Sequence, residues 1–252
     1  MKIISFVLLF IAVLTGVFFV LYNRSDLVTT GAPPYDADSG NSLEGLYDIS
    51  DIVNWKRPEG PTRVGIQVGH WKSNELPEEL ERLRGNTGAS GYGMSEWEVN
   101  FAIAKRIAEI LEEEKIVVDI LPATIPPDYW ADVFIAIHAD GNENRTKSGF
   151  KIAGPRRDYT GKNNQIIELL KKVYEDSTEL SWDEEGISRN MKGYYAFSWR
   201  RFEHSIHPMT PAIIFETGFL TNQTDAQLIA GDPDIPAGAI AKGLIMFLKP
   251  SS

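Results

Sequence analysis

The chain contains no cysteine. Disulfides, thiolate metal ligands and a lipid anchor through cysteine are therefore excluded, and any metal must be held by histidine and carboxylate. Histidine itself is scarce, with 4 in 252 residues: His70, His138, His204 and His207. Concentrated basic charge is also missing. Lys and Arg number 25 against 35 Asp and Glu, the formal net charge is −10, and the basic residues are scattered along the chain. That distribution argues against nucleic acid or another polyanion as partner. Internal repeats are absent, and the length suits one domain of ordinary size or two small ones.

One long apolar run is present. From Ile3 to Tyr22 (IISFVLLFIAVLTGVFFVLY) there is no charge. About twenty helical residues span a hydrocarbon core of about 30 Å. A cleavable signal usually has a shorter apolar region followed by a small-x-small site, whereas Phe18, Phe19 and Val20 run straight into Leu21 and Tyr22. Residues 1–24 are therefore expected to be a membrane anchor, with a cleaved signal as the alternative. Either places the remainder outside the cytoplasm in the usual orientation, although Lys2 and Arg24 balance and do not fix it. Residues 25–62, rich in Gly, Pro, Asp, Ser and Asn, read as a linker. Within it, LYDISDIVNW (Leu46 to Trp55) has enough apolar residues to pack against the domain that follows.

From Arg63 the pattern alternates between strand and helix. RVGIQV (Arg63 to Val68), KIVVDIL, VFIAIH and AIIFE (Ala212 to Glu216) are short buried-type strands. Ser95 with Glu98 three residues later forms a capping box, opening a helix whose Val99, Ile103, Ile107, Ile110 and Leu111 share a face. A second helix is predicted from Asn163 to Asp176, and AGAIAKGLIMFL closes the chain as a third. The expected fold is α/β, a mainly parallel twisted sheet with helices on both faces.

Three strands end on polar groups: His70, His138 and Glu216. In an open parallel sheet all three reach the same rim, where ligands collect. Taken alone, His138 could simply cap its strand. Catalytic zinc takes three His or carboxylate ligands and leaves a position for water. His70 and His138 are the natural imidazoles. Glu96, in the first turn of the helix after the His70 strand, is a third candidate, or merely an acid complementing the helix dipole. Glu216 follows Ala212, Ile213, Ile214 and Phe215, so its pKa is expected to be raised, as suits a general base and acid; the competing reading pairs it with Arg200 or Arg201. His204 and His207 lie in a Pro-flanked loop and fit substrate contact or plain surface better than ligation. Asp140 could orient His138, or cap a turn.

Four stretches together, VGIQVGH, SEWEVNFAIAKRIAEIL, ADVFIAIHAD and PAIIFETGFLTNQTDAQL with the closing AIAKGLIMFL, resemble the zinc-dependent N-acetylmuramoyl-L-alanine amidases often called Amidase_3. The resemblance covers about Arg63 to Leu248. It implies a Zn²⁺ site at His70, Glu96 and His138, with Glu216 as the catalytic residue; Asn100 also matches. The chain departs from the pattern where ILPATIPPDYW replaces a Thr-Arg pair and a helix, where Trp71 and Lys72 follow His70, where NELPEELERLRG inserts acidic residues, and at KGYYAFSWRRFEHSIHPMTP.

The resemblance implies residues 63–252 as a zinc amidase domain that cuts the bond between N-acetylmuramic acid and L-alanine in peptidoglycan. The expected setting is the cell envelope, periplasmic or extracellular, held at the membrane or secreted if the first segment is cleaved, with monomer as the working expectation. The altered loops keep open a zinc hydrolase of another envelope amide, and a peptidoglycan-binding module without turnover is the non-enzymatic alternative.

Overall fold

Residues 49–249 are described in a computed structural model of the chain. The proposed membrane segment and most of the linker therefore lie outside the described residues. In chain order the elements are α1 (Ile49–Val53), β1 (Arg63–Val68), β2 (Ser90–Gly91), β3 (Met94–Ser95), α2 (Glu96–Glu113), β4 (Val117–Leu121), β5 (Val133–Asp140), β6 (Lys151–Ala153), α3 (Asn163–Thr178), α4 (Arg189–Lys192), β7 (Ala212–Phe219), α5 (Gln223–Ile229) and α6 (Asp234–Leu248). No helix among the described residues is long and apolar enough to cross a membrane.

Five strands form one sheet in the order β4-β1-β5-β7-β6. The first four are parallel, and β6 closes the edge antiparallel to β7. The sheet is mainly parallel, as expected, with one antiparallel edge strand. The three-residue β6 was not anticipated, since KIA carries no pattern of its own. β2 and β3 make a separate small hairpin leading into α2.

Side chains alternate between two cores, as the two-residue period of a strand requires. Val64, Ile66, Val133, Ile135, Ile137, Ile213 and Phe215 point to one face, where they meet Val99, Ile103 and Ile107 of α2, Ile166 and Leu170 of α3, and Ile240 and Leu244 of α6. Each such fully buried side chain stabilises by about 1.5–3 kcal/mol relative to exposure. Phe134, Ala136, Ala212 and Ile214 point to the other face. There the cover is different from that expected. All three long helices lie on the first face. The second is roofed by 3-10 turns at Ser73–Glu75, Glu78–Leu83 and Tyr195–Phe197, through Leu76, Leu80, Tyr195, Phe197 and Phe202. Pro122, Pro126 and Pro127 after β4 cannot continue a helix there, so no long helix is available for this side.

Of the segment expected to pack, Leu46 to Asp48 lie outside the described residues and Val53 is exposed, but Trp55 does pack. Trp55 lies 5.8 Å from the Trp130 ring and 5.7 Å from His207, and Arg57 pairs with Asp132 at 2.6 Å. Asp132 precedes β5, so the chain joins the domain at the N-terminal end of the parallel strands, opposite the rim that carries the histidines.

Candidate metal centre

β1 runs beside β5 as far as Val68 and Ile137, and the Gly69 amide adds one more bond, to the Ile137 carbonyl at 2.9 Å. The backbone then turns sharply, with His70 (φ 64°) and Lys72 (φ 58°) in the left-handed region. That conformation is costly for residues with a side chain and is characteristic of functional sites. The turn brings the His70 ring edge-on to His138, 5.1 Å between centroids. Gly69 allows the approach, because a Cβ there would stand 2.5 Å from the His138 ring.

Glu96 opens α2, directly after the N-cap Ser95, whose amide and hydroxyl both donate to Glu98. Capping is thus done by Glu98, and Glu96 is released for the rim. Its Oε2 accepts from the Ala89 amide at 2.7 Å, while Oε1 accepts from the Ala139 amide at 3.2 Å and the Asn100 side chain at 3.4 Å. The His138 Nδ1 lies 2.9 Å and the His70 Nε2 3.4 Å from the same Oε1.

The ring nitrogens that face away from Glu96 are also engaged. His70 Nδ1 lies 2.9 Å from the Asn86 carbonyl, an acceptor that fixes the proton on Nδ1 and leaves Nε2 toward the centre. His138 Nε2 lies 3.2 Å from the Tyr194 hydroxyl, which donates to Gln67 Oε1 at 2.9 Å. Gln67 is itself oriented, since its Nε2 donates to the Ala123 carbonyl at 3.1 Å. Outer contacts of this kind set the tautomer and orientation of ligating histidines. Neither Gln67 nor Tyr194 was anticipated. Tyr194 comes from the 187–210 roof, and nothing in its local sequence points to the rim.

One ligand atom from each of His70, Glu96 and His138 lies within 4.8 Å of the others, and this is a group of histidines and acids placed to hold a metal among the described residues. Burial disfavours the charged Glu96, yet the charge of His70, the hydrogen bond and charge of His138 and the Ala89 amide outweigh it and hold the carboxyl down to about 2. Burial lowers the His70 pKa. For His138 burial acts in the same direction, but the hydrogen bond and charge of Glu96, with Glu216 and Asp140, raise it. The enclosed carboxylate thus draws positive charge to this spot, and a divalent cation would serve that end with neutral imidazoles.

Glu216 sits opposite His138 in the β5–β7 register and opposite Lys151 in the β6–β7 register. Burial first, then the negative Asp140, push its pKa up to about 8, against the pull of His138 and Lys151. Among the described residues it makes no ion pair with Arg200 or Arg201; the charges acting on it come from the rim. Asp140 does not orient the His138 ring. It accepts from Lys151 and from the Gly141 amide instead.

His204 and His207 stay away from the centre. His204 Nδ1 lies 2.9 Å from Glu79, which also accepts from the 203 and 204 amides, so the acidic insertion is tied to the roof. His207 is buried, accepts from the Met209 amide at 3.0 Å and stacks on Trp55. For His207 this replaces the surface reading with a packing role.

The family model for N-acetylmuramoyl-L-alanine amidase, Amidase_3, matches residues 64–246. No curated protein matches the chain. Among solved structures, the amidase AmiC2 of Nostoc punctiforme is similar at 21% identity and TM-score 0.52, covering 76% of this chain and 99% of that one. The CwlD amidase of Clostridioides difficile, solved with the GerS lipoprotein, aligns at 15% identity and TM-score 0.54 over 75% of this chain and 100% of its own. Ami1 of Mycobacterium smegmatis aligns at 18% identity and TM-score 0.52 over 75% and 98%. At such identities these structures speak for the fold, and the family model speaks for the membership: the chain belongs to the N-acetylmuramoyl-L-alanine amidase family of peptidoglycan hydrolases.

Proposed function

We propose that His70, Glu96 and His138 hold a zinc ion and that Glu216 moves the proton as the chain cuts the amide between the lactyl group of N-acetylmuramic acid and L-alanine. The observation that carries this reading is the convergence of three ligand atoms within 4.8 Å on the rim position that also bears Glu216. Zinc, when bound, would supply a Lewis acid for the scissile carbonyl and acidify water. As a carboxylate, Glu216 accepts a proton from the attacking water while the hydroxide oxygen bonds to the carbonyl carbon. As an acid, it returns that proton to the amide nitrogen as the C–N bond breaks, leaving a lactyl carboxylate and a free alanine amine. Lys151, held by Asp140, stands beside Glu216 and limits how far its pKa rises.

We also propose that residues 1–24 hold the chain at the membrane, on the strength of the uncharged run from Ile3 to Tyr22. Trp55 enters at the sheet end opposite the histidines, so such a tether would turn the metal rim outward, toward the wall polymer. The test is incubation of the full chain with purified peptidoglycan. Expected are peptides with new N-terminal alanine, loss on chelation, return with zinc, and loss in Glu216→Gln with zinc content unchanged. Release of a different amine, or hydrolysis untouched by Glu216→Gln, overturns the reading.

A further inference from the structure

The scattered basic residues are gathered by folding. A pocket of about 370 Å³ on the second face is lined by Arg156, Arg157, Lys192, Arg200 and Arg201, with Asp158 as its single acid. Asp158 is already engaged: its carboxylate accepts from the amides of Thr160, Gly161 and Asn163 at 2.8–2.9 Å. Arg156, Arg157 and Lys192 have no carboxylate partner among the described residues, and Arg200 stacks on Trp199, 4.8 Å from its ring. In a chain of net charge −10, several cations facing one concavity repel each other and concentrate an anion there. Guanidinium forks match the oxygens of phosphate, and a dianion neutralises more of the cluster than a carboxylate does. At about 30 Å³ per water, the volume also exceeds a bare phosphate and leaves room for a small polyol.

The pocket lies away from the metal rim. Pro208 and Thr210, which line it, precede β7, and Asn163, another lining residue, bonds the amide of the first residue of β7, Ala212. Glu216 is four residues further, about 13 Å along the strand. His207, between the lining residues Ile206 and Pro208, is the residue stacked on Trp55, so the pocket adjoins the point where the chain enters the domain. We propose that this pocket binds a phosphate monoester, and that the monoester is the headgroup of a membrane phospholipid of the phosphatidic acid type. The choice of lipid as source rests on the proposed membrane segment; the phosphate chemistry does not, and neither involves zinc or Glu216.

The test uses the full chain. Calorimetric titration with glycerol 3-phosphate is expected to give saturable binding, weakened at least about tenfold by Arg156→Gln with Lys192→Gln and unchanged by the distant pair Lys105→Gln with Lys242→Gln. Glycerate, which keeps the polyol and loses the dianion, is expected to bind at least about tenfold more weakly. In co-sedimentation, the apolar segment brings the chain to any vesicle, but phosphatidylcholine vesicles with an equal part of phosphatidic acid should retain more of it than phosphatidylcholine alone, an excess lost in Arg156→Gln with Lys192→Gln. If glycerol 3-phosphate binds at the pocket while that excess is absent or survives the substitutions, the lipid source is overturned and the ligand is a soluble ester. Absence of saturable binding, equal binding of glycerate, or binding indifferent to the substitutions overturns the site.

Discussion

His138 and Glu216 stand directly opposite each other in adjacent parallel strands. Both side chains leave the same face of the sheet, so one backbone register fixes a candidate metal ligand and the candidate proton carrier together. A slip of one residue would send Glu216 into the face occupied by Phe215. The strands that hold this register are almost entirely buried, which makes the spacing of the two groups a property of the core. The β5–β7 pairing becomes irregular only beyond His138, between it and Asp140.

Substitution of Glu216 by Gln keeps size and hydrogen-bonding capacity and removes the ability to carry a proton. Peptidoglycan turnover is expected to fall by about a hundredfold to ten-thousandfold, the usual contribution of a positioned acid–base group. Zinc content by elemental analysis should match the unsubstituted chain. A substituted protein that retains full turnover would remove Glu216 from the chemistry.

The same residue should leave a mark on the stability of the metal-free protein. Its folded pKa, about 8, exceeds the usual glutamate value of about 4.3. Between these two values the folded chain keeps a proton that the unfolded chain releases, so stability falls as pH rises through that window. With chelator present, Glu216→Gln is expected to flatten this decline and to melt above the unsubstituted chain near pH 8. Parallel melting curves from pH 5 to pH 8 would contradict the burial of this carboxyl.

Much of the rim was legible because it depends on strand ends. VFIAIHAD announces a buried strand with an imidazole near its end, although the strand runs on two residues to Asp140, and the capping box at Ser95 and Glu98 leaves Glu96 as the uncommitted acid of its helix turn. What lay beyond reach depends on contacts between distant parts of the chain. Tyr194 meets His138 across 56 positions and Gln67 across 127. Lys151, from the three-residue β6, captures Asp140, which sequence alone leaves between orienting His138 and capping a turn. The long helices are confined to one of the two faces expected to carry helices, because a proline-rich stretch, short 3-10 turns and one four-residue helix occupy the place of a second helical layer.

Tyr194→Phe tests the outer support of the centre. It removes the oxygen that meets His138 Nε2 and leaves that ring free to choose its tautomer and rotate. Loss of such a partner typically weakens metal binding by about tenfold to a hundredfold. Competition with a chromogenic chelator should show that loss, and excess zinc should restore most of the turnover. Unchanged zinc affinity would show that the Tyr194 hydroxyl plays no part in holding His138.

Gly88 and Gly93 separate backbone strain from site geometry. Both have left-handed φ, 74° and 76°, so alanine at either should cost about 1 kcal/mol or more from conformation alone. Around Gly93 no atom lies within 4 Å of an added Cβ, whereas at Gly88 that Cβ would stand 2.1 Å from Glu96 Oε2 and 2.7 Å from His70 Cδ2. Gly93→Ala should therefore lower the melting temperature by a few degrees and bind zinc normally. Gly88→Ala should displace Glu96 and His70 and lose zinc as well as stability. Elemental analysis of the two purified proteins, with melting curves taken in chelator, distinguishes these effects; normal zinc loading of Gly88→Ala would mean that Glu96 and His70 do not need the positions described for them.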